Sequence, residues 1–173
     1  MSAGGEDNAG VRFPPPLVYV LGLLGGSILH SWIGRDVEPP SWRLALGVIG
    51  GVLVALGAAL TVSGAVTFRR AKTEIPPIFP ASTLVEWGPY RFTRNPMYVG
   101  FTVAYVGFAL LLNVLWALVF LPIVVWIIAR GAIAREEAYL KRRFGAEYEA
   151  YCRRVGRWLG RRESASAGSS SGS

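Results

Sequence analysis

An all-helical bundle that crosses a membrane about four times and ends in amphipathic helices is the architecture this sequence predicts. Three observations predict it. Of its 173 residues 52% are hydrophobic and 17% charged, with mean hydropathy +0.39, too apolar for an ordinary soluble domain of this length. The apolar residues gather in long charge-free runs separated by short polar segments. The basic residues, which give a net charge of +7, flank those runs and form no single patch; positive-inside topology explains that distribution, and nucleic-acid binding does not.

Taken in order, residues 1–13 carry Glu6 and Asp7 where a secretory signal has a basic region, and read as a short disordered leader. Residues 14–160 read as one membrane domain. Residues 161–173 are nearly all Ser, Gly and Ala after Glu163 and read as a flexible tail. The first apolar span, 17–33, opens at Pro14-Pro15-Pro16 and closes at Trp32. It is a short crossing at ~1.5 Å per residue. The second span, 42–68, is long enough to tilt. Gly22 with Gly26, and Gly47 with Gly51, give these two spans small-xxx-small faces, from which close packing of the pair is expected. The plainer alternative is that glycine is common in membrane helices.

Residues 69–95 are polar, with Arg69, Arg70, Lys72, Arg91 and Arg94 set against Glu74 and Glu86. Pro76, Pro77 and Pro80 forbid a continuous helix, so an irregular cap is expected at the membrane surface. Its apolar residues Ile75, Ile78, Phe79, Leu84, Val85 and Trp87 are expected in the interface. Residues 97–129 then run without a charge for ~50 Å at helical rise, against a hydrocarbon core of ~30 Å. One straight crossing is too long, so a hairpin turning at Asn113 is expected, with Pro122 as a kink in its second arm. The hairpin keeps the basic segments on one side, which places both termini in the cytoplasm of a cell with an inner or plasma membrane.

Residues 131–159 read as two amphipathic helices divided at Phe144-Gly145. Tyr148, Tyr151, Cys152 and Val155 recur at docking-face spacing in the second. In the first, Ile133, Leu140 and Phe144 share a face with Glu137, and Glu136 lies at its edge. A carboxylate on an apolar face needs a partner: a ligand, or an arginine such as Arg91 or Arg94.

The densest stretch is Gly88-Pro-Tyr-Arg-Phe-Thr-Arg-Asn-Pro-Met-Tyr-Val-Gly100. Asn95 is a strong N-cap residue and Pro96 suits the first helical position. The resulting helix start, with Arg94 just outside it, suits a carboxylate or phosphate. A topology signal combined with a helix start is the plainer alternative, although Tyr90, Arg91, Arg94, Asn95 and Tyr98 exceed what a boundary needs. His30 and Cys152 are remote from one another in sequence, so a metal site has little support.

This stretch, followed by a hydrophobic hairpin and then R-E-E-x-x-L (135–140), F-G-x-x-Y (144–148) and Y-x-x-x-V (151–155), resembles the integral-membrane methyltransferases. That family includes isoprenylcysteine carboxyl methyltransferases and phospholipid (phosphatidylethanolamine) methyltransferases. The likeness covers residues 72–158. It implies methyl transfer from S-adenosylmethionine to a lipophilic small molecule or lipid, a carboxylate or an amine. On that implication Arg94 and Glu137 are the catalytic candidates, and Tyr90, Arg94, Asn95, Pro96, Tyr98, Gly100, Glu136 and Glu137 bind the cofactor. The donor's carboxylate suits Arg94 and the helix start at Pro96, its amino group or ribose suits Glu136 or Glu137, and Tyr90, Tyr98 or Tyr139 suits its sulfonium or adenine. The family commonly has Arg-His-Pro where this chain has Arg94-Asn95-Pro96, and Asn is no titrating base, so Asn95 is assigned to binding. A carboxylate acceptor needs no base; an amine acceptor does, and a buried Glu is the candidate. The competing reading is a non-catalytic membrane protein that binds a lipid or partner on the same scaffold.

Overall fold

The computed structural model describes residues 13–33, 39–71 and 82–160. No extended strand occurs among the described residues, and six α-helices carry the fold: α1 Pro15–Ile33, α2 Arg43–Arg70, α3 Pro96–Leu111, α4 Leu121–Ile128, α5 Ala134–Phe144 and α6 Ala146–Arg154. Short 3-10 turns occupy Pro40–Trp42, Gly88–Arg91 and Leu115–Val119, and a π-helical turn, Ala129–Ile133, joins α4 to α5. The expected tail, the expected leader apart from Phe13, and the surface residues Ile75, Pro76, Pro77, Ile78, Phe79 and Pro80 lie outside the described residues.

Three helical stretches are long and apolar enough to cross a membrane, Pro15–Ile33, Pro40–Arg70 and Ala117–Phe144. The helix α3 is apolar but has 16 residues. Of the four crossings expected from sequence, three have a helix of spanning length, and the segment expected to make the other is the shorter α3. Leucines, valines and isoleucines such as Leu21, Leu24, Leu44, Val52, Leu56 and Ile123 stand exposed on α1, α2 and α4, as lipid-facing side chains do.

The hairpin forms where expected. Asn113 adopts the left-handed conformation (φ 58°) that Asn tolerates better than other non-glycine residues. The Asn113 amide donates to the Leu110 carbonyl at 3.1 Å, and the Val114 amide to that of Ala109 at 2.8 Å, which satisfies the last carbonyls of α3 in a Schellman arrangement. The Tyr105 hydroxyl donates to the Ala117 carbonyl at 2.6 Å and pins the returning chain. Pro122 does not kink a helix. It sits in the first turn of α4, where its missing N–H has no intrahelical partner to lose.

The glycine faces are arranged differently from the sequence expectation. α1 and α2 do not form a packed pair. Gly22 and Gly26 of α1 lie against Tyr105, Val124 and Ala117, so α1 packs between α3 and the returning arm. Gly47 and Gly51 meet nothing within 4 Å. The helix α2 instead uses the heptad-spaced set Gly50, Gly57 and Gly64 to run antiparallel to α3. A Cβ on Gly57 would lie 2.5 Å from the Gly100 carbonyl oxygen and 2.6 Å from the Ala104 nitrogen, and one on Gly107 would lie 2.7 Å from the Gly50 carbonyl oxygen. Backbone on backbone at this range admits only glycine.

This packing sets a prediction. Gly57→Ala overpacks the α2–α3 contact and costs about 1–3 kcal/mol. Gly51→Ala, in open space, is neutral or stabilising by up to about 1 kcal/mol through helix propensity. Unfolding midpoints in detergent should separate the two variants in that order.

Candidate functional site

The polar corner is built by a short chain of local constraints. Gly88 takes φ 63° and presses on the last turn of α2, where a Cβ would stand 2.9 Å from Thr67 Oγ1. The turn Gly88–Arg91 then delivers Tyr90 edge-on to Phe68, with ring centroids 5.2 Å apart. Val85 joins that small core and is buried, where an interfacial position was expected. On the far side α6 docks as its spacing predicts: Tyr148, Tyr151 and Val155 are buried, and the Tyr151 hydroxyl donates to the Tyr90 carbonyl at 2.7 Å.

Asn95 occupies the N-cap position and Pro96 the first turn of α3, but the Asn95 side chain does not cap. Its Nδ2 donates to the Arg157 carbonyl at 2.9 Å, while the Asn95 backbone N–H is taken by Thr93 Oγ1 at 3.1 Å. Thr93 Oγ1 also donates to the Arg157 carbonyl, and the Arg94 amide donates to the Gly156 carbonyl at 3.0 Å. The strap that follows α6 is thereby stitched across the Arg-Asn-Pro corner.

Arg94 and Glu137 meet. Arg94 Nη1 lies 2.9 Å from Glu137 Oε1, with side-chain exposures of 10% and 16%. Nη1 also donates to the Tyr148 hydroxyl and to Cys152 Sγ. Burial is the largest influence on the Arg94 charge and works against it, but Glu137, Tyr148 and Cys152 together outweigh it and the net shift of its pKa is upward. Arg157 holds the same carboxylate from outside, Nη2 to Oε2 at 2.5 Å and Nε to Oε1 at 3.0 Å. Glu136 turns the other way and accepts a hydrogen bond from the Tyr98 hydroxyl at 2.5 Å.

Most of these groups line one cavity beside α3, α5 and α6. Phe68, Leu84, Val85, Met97 and Leu140 form its apolar side; Tyr90, Arg94, Tyr98, Glu136, Glu137 and Tyr148 form its polar side. Two buried polar atoms on this wall, Tyr90 Oη and Arg94 Nε, have no hydrogen-bond partner among the described residues. Burial, followed by the charge of Glu137, raises the pKa of Tyr148, and burial raises that of Tyr90, so both remain neutral phenols.

The structure brings Tyr90, Arg94, Asn95, Tyr98, Glu136 and Glu137 to one cavity. Three expected residues lie elsewhere. Gly100 serves the α2 contact, since a Cβ there would stand 2.6 Å from the Gly57 carbonyl oxygen. Pro96 is buried against Gly64. Tyr139 packs with Leu140 and Phe144. Sequence reasoning missed Thr93 and Arg157. The only trace of Arg157 in the sequence is its place two residues beyond the docking-face Val155.

The profile of the phospholipid methyltransferase family matches residues 45–147, which include most of α2, the Arg-Asn-Pro corner and both glutamates. The probable protein-S-isoprenylcysteine O-methyltransferase of Oryza sativa subsp. indica is 32% identical over 109 residues, 62% of this chain and 57% of that protein. Protein-S-isoprenylcysteine O-methyltransferase B of Arabidopsis thaliana is 35% identical over 109 residues, 61% of this chain and 55% of that protein. The Saccharomyces cerevisiae protein-S-isoprenylcysteine O-methyltransferase is 32% identical over 134 residues, 75% of this chain and 56% of that protein. The chain thus spans little more than half the length of these relatives. No solved structure matches. With 103 consecutive positions, 45 to 147, aligned to one profile, and with that profile's stretch supplying most of the cavity wall, the chain belongs to the phospholipid methyltransferase family.

Proposed function

We propose that this protein is a membrane-embedded methyltransferase that binds S-adenosylmethionine in the cavity between α3, α5 and α6 and methylates a lipophilic small molecule or lipid. The observation that carries this reading is the pair of buried donors without a partner among the described residues, Tyr90 Oη and Arg94 Nε, on two side chains of a wall that also presents carboxylates. Buried donors are normally satisfied, so two on one cavity wall call for an acceptor-bearing ligand. An amino-acid carboxylate fits them, and the adjacent phenols and carboxylates suit a cation.

S-adenosylmethionine supplies, when bound, an electrophilic methyl group on a sulfonium sulfur. Arg94 would hold the donor's carboxylate through Nε, with its Nη1 tied to Glu137. Glu137 is engaged by two guanidiniums, which suits it to anchoring Arg94 rather than accepting a proton. Glu136 accepts from the neutral Tyr98 hydroxyl, whereas Glu137 holds two guanidiniums, so Glu136 is the proton acceptor we assign where the nucleophile is an amine. The apolar wall of Phe68, Leu84, Val85 and Met97 would seat the lipophilic acceptor and exclude water, leaving positioning to supply most of the acceleration. The names of the isoprenylcysteine O-methyltransferase relatives support a lipophilic acceptor. The basic residues of 69–95 and of the C-terminal region support a reading in which the site faces the cytoplasm at an inner or plasma membrane, with both termini on that side.

Calorimetric titration of the detergent-solubilised protein with S-adenosylhomocysteine should give saturable heat, and Arg94→Ala should weaken binding about a hundredfold. Wild-type protein that gives no heat contradicts the reading. Radiolabelled donor incubated with protein and a total lipid and metabolite extract should place label in a lipid-soluble product. With an amine acceptor, Glu136→Gln should lower kcat about a hundredfold or more while S-adenosylhomocysteine affinity stays within about threefold. An unchanged kcat assigns Glu136 no proton-transfer role.

A further inference from the structure

An arginine facing one carboxylate ordinarily meets it fork to fork, two parallel N–H groups on two oxygens. Arg94 does not. It gives Glu137 a single contact, through Nη1, and the Nε of this cavity-lining side chain has no hydrogen-bond partner among the described residues. The fork on Glu137 belongs to Arg157, whose Nε and Nη2 take Oε1 and Oε2. Lys141, on the same helix as Glu137, is paired with Glu149 at 2.8 Å. Arg157 is therefore the cation that fills the second oxygen of Glu137, and it lies beyond the residues matched by the family profile.

Resting on the methyl-donor reading above, we propose that Arg157 is a positioning residue: by occupying Glu137 bidentately it keeps the Nε of Arg94 free for the donor's carboxylate. Without Arg157, the Glu137 carboxylate rotates to take the fork of Arg94, and Nε is drawn away from the cavity. The Arg157 side chain is 44% exposed. The strap that carries it is held through backbone carbonyls, Arg157 O to Thr93 and Asn95, and Gly156 O to the Arg94 amide. A side-chain substitution at 157 leaves those contacts in place.

The test compares two ligands on the full-length protein in detergent. S-adenosylhomocysteine carries the amino-acid carboxylate, and 5′-methylthioadenosine keeps the nucleoside and thioether but lacks it. Arg157→Ala should weaken S-adenosylhomocysteine about tenfold or more and change 5′-methylthioadenosine by less than about twofold. Arg157→Lys, which restores a cation without the fork, should fall between wild type and Arg157→Ala. In a Glu137→Gln background, where the competing charge is gone, Arg157→Ala should change S-adenosylhomocysteine affinity by less than about threefold. Equal weakening of both ligands, which marks a general loosening of the cavity, overturns the proposal, as does an unchanged S-adenosylhomocysteine affinity. If wild type binds neither ligand, the donor reading falls and takes this inference with it. If wild type binds and Arg157→Ala binds as well, the inference alone falls.

Discussion

The contact between Arg94 and Glu137 is what the rest of the molecule is arranged to make. It joins two pieces of chain 43 positions apart, one at the start of α3 and the other in the first turns of α5. Taking both charges largely out of water is costly, and the pair is sustained only where geometry and extra hydrogen bonds compensate. Here they do: Tyr148 and Cys152 receive further contacts from the Arg94 guanidinium, and Arg157 saturates the carboxylate. Such a pair contributes less to stability than to a defined arrangement of the cavity wall.

The membrane helices serve that contact by fixing where α3 starts and where α5 begins. Close approach at Gly57 and Gly100 sets the register of α2 against α3, and so the height at which Phe68 and Tyr90 close one side of the cavity. The Asn113 turn returns the chain toward the same surface, and the π-helical turn Ala129–Ile133 stands directly before the Arg135-Glu136-Glu137 run. An extra residue of this kind inside a helix re-aims the side chains of the next turns, and such insertions are frequent at functional sites. The two adjacent glutamates, about 100° apart around α5 as helical neighbours are, reach different partners, Glu136 to Tyr98 and Glu137 to the arginines. Sequence alone does not separate their roles.

Much of this is legible in the residues, for physical reasons. Charge-free length requires the hairpin, and Asn113 is the polar residue placed to turn it. The periodicity of Tyr148, Tyr151 and Val155 marks a docking face because helical spacing leaves few alternatives. A carboxylate on the apolar face of α5 calls for an arginine, and Arg94 is one of the two candidates. The glycine contacts are not legible in the same way, because α2 has many glycines and the tighter spacing 47, 51 competes with the heptad set 50, 57, 64 that makes the contact. Asn95 has the identity of an N-cap, yet its amide bonds the strap, a tertiary partner that local rules do not include. Arg157 is invisible for the same reason: nothing within a few residues of it indicates that the strap returns across the Arg-Asn-Pro corner.

The most direct measurement is an experimental structure of the protein in lipid with S-adenosylhomocysteine bound. The predicted result is ligand density in the cavity between α3, α5 and α6, with its carboxylate within hydrogen-bonding distance of Arg94 Nε and the Arg94–Glu137 contact intact. Ligand density away from this cavity, or Arg94 and Glu137 too far apart to touch, would contradict the assignment.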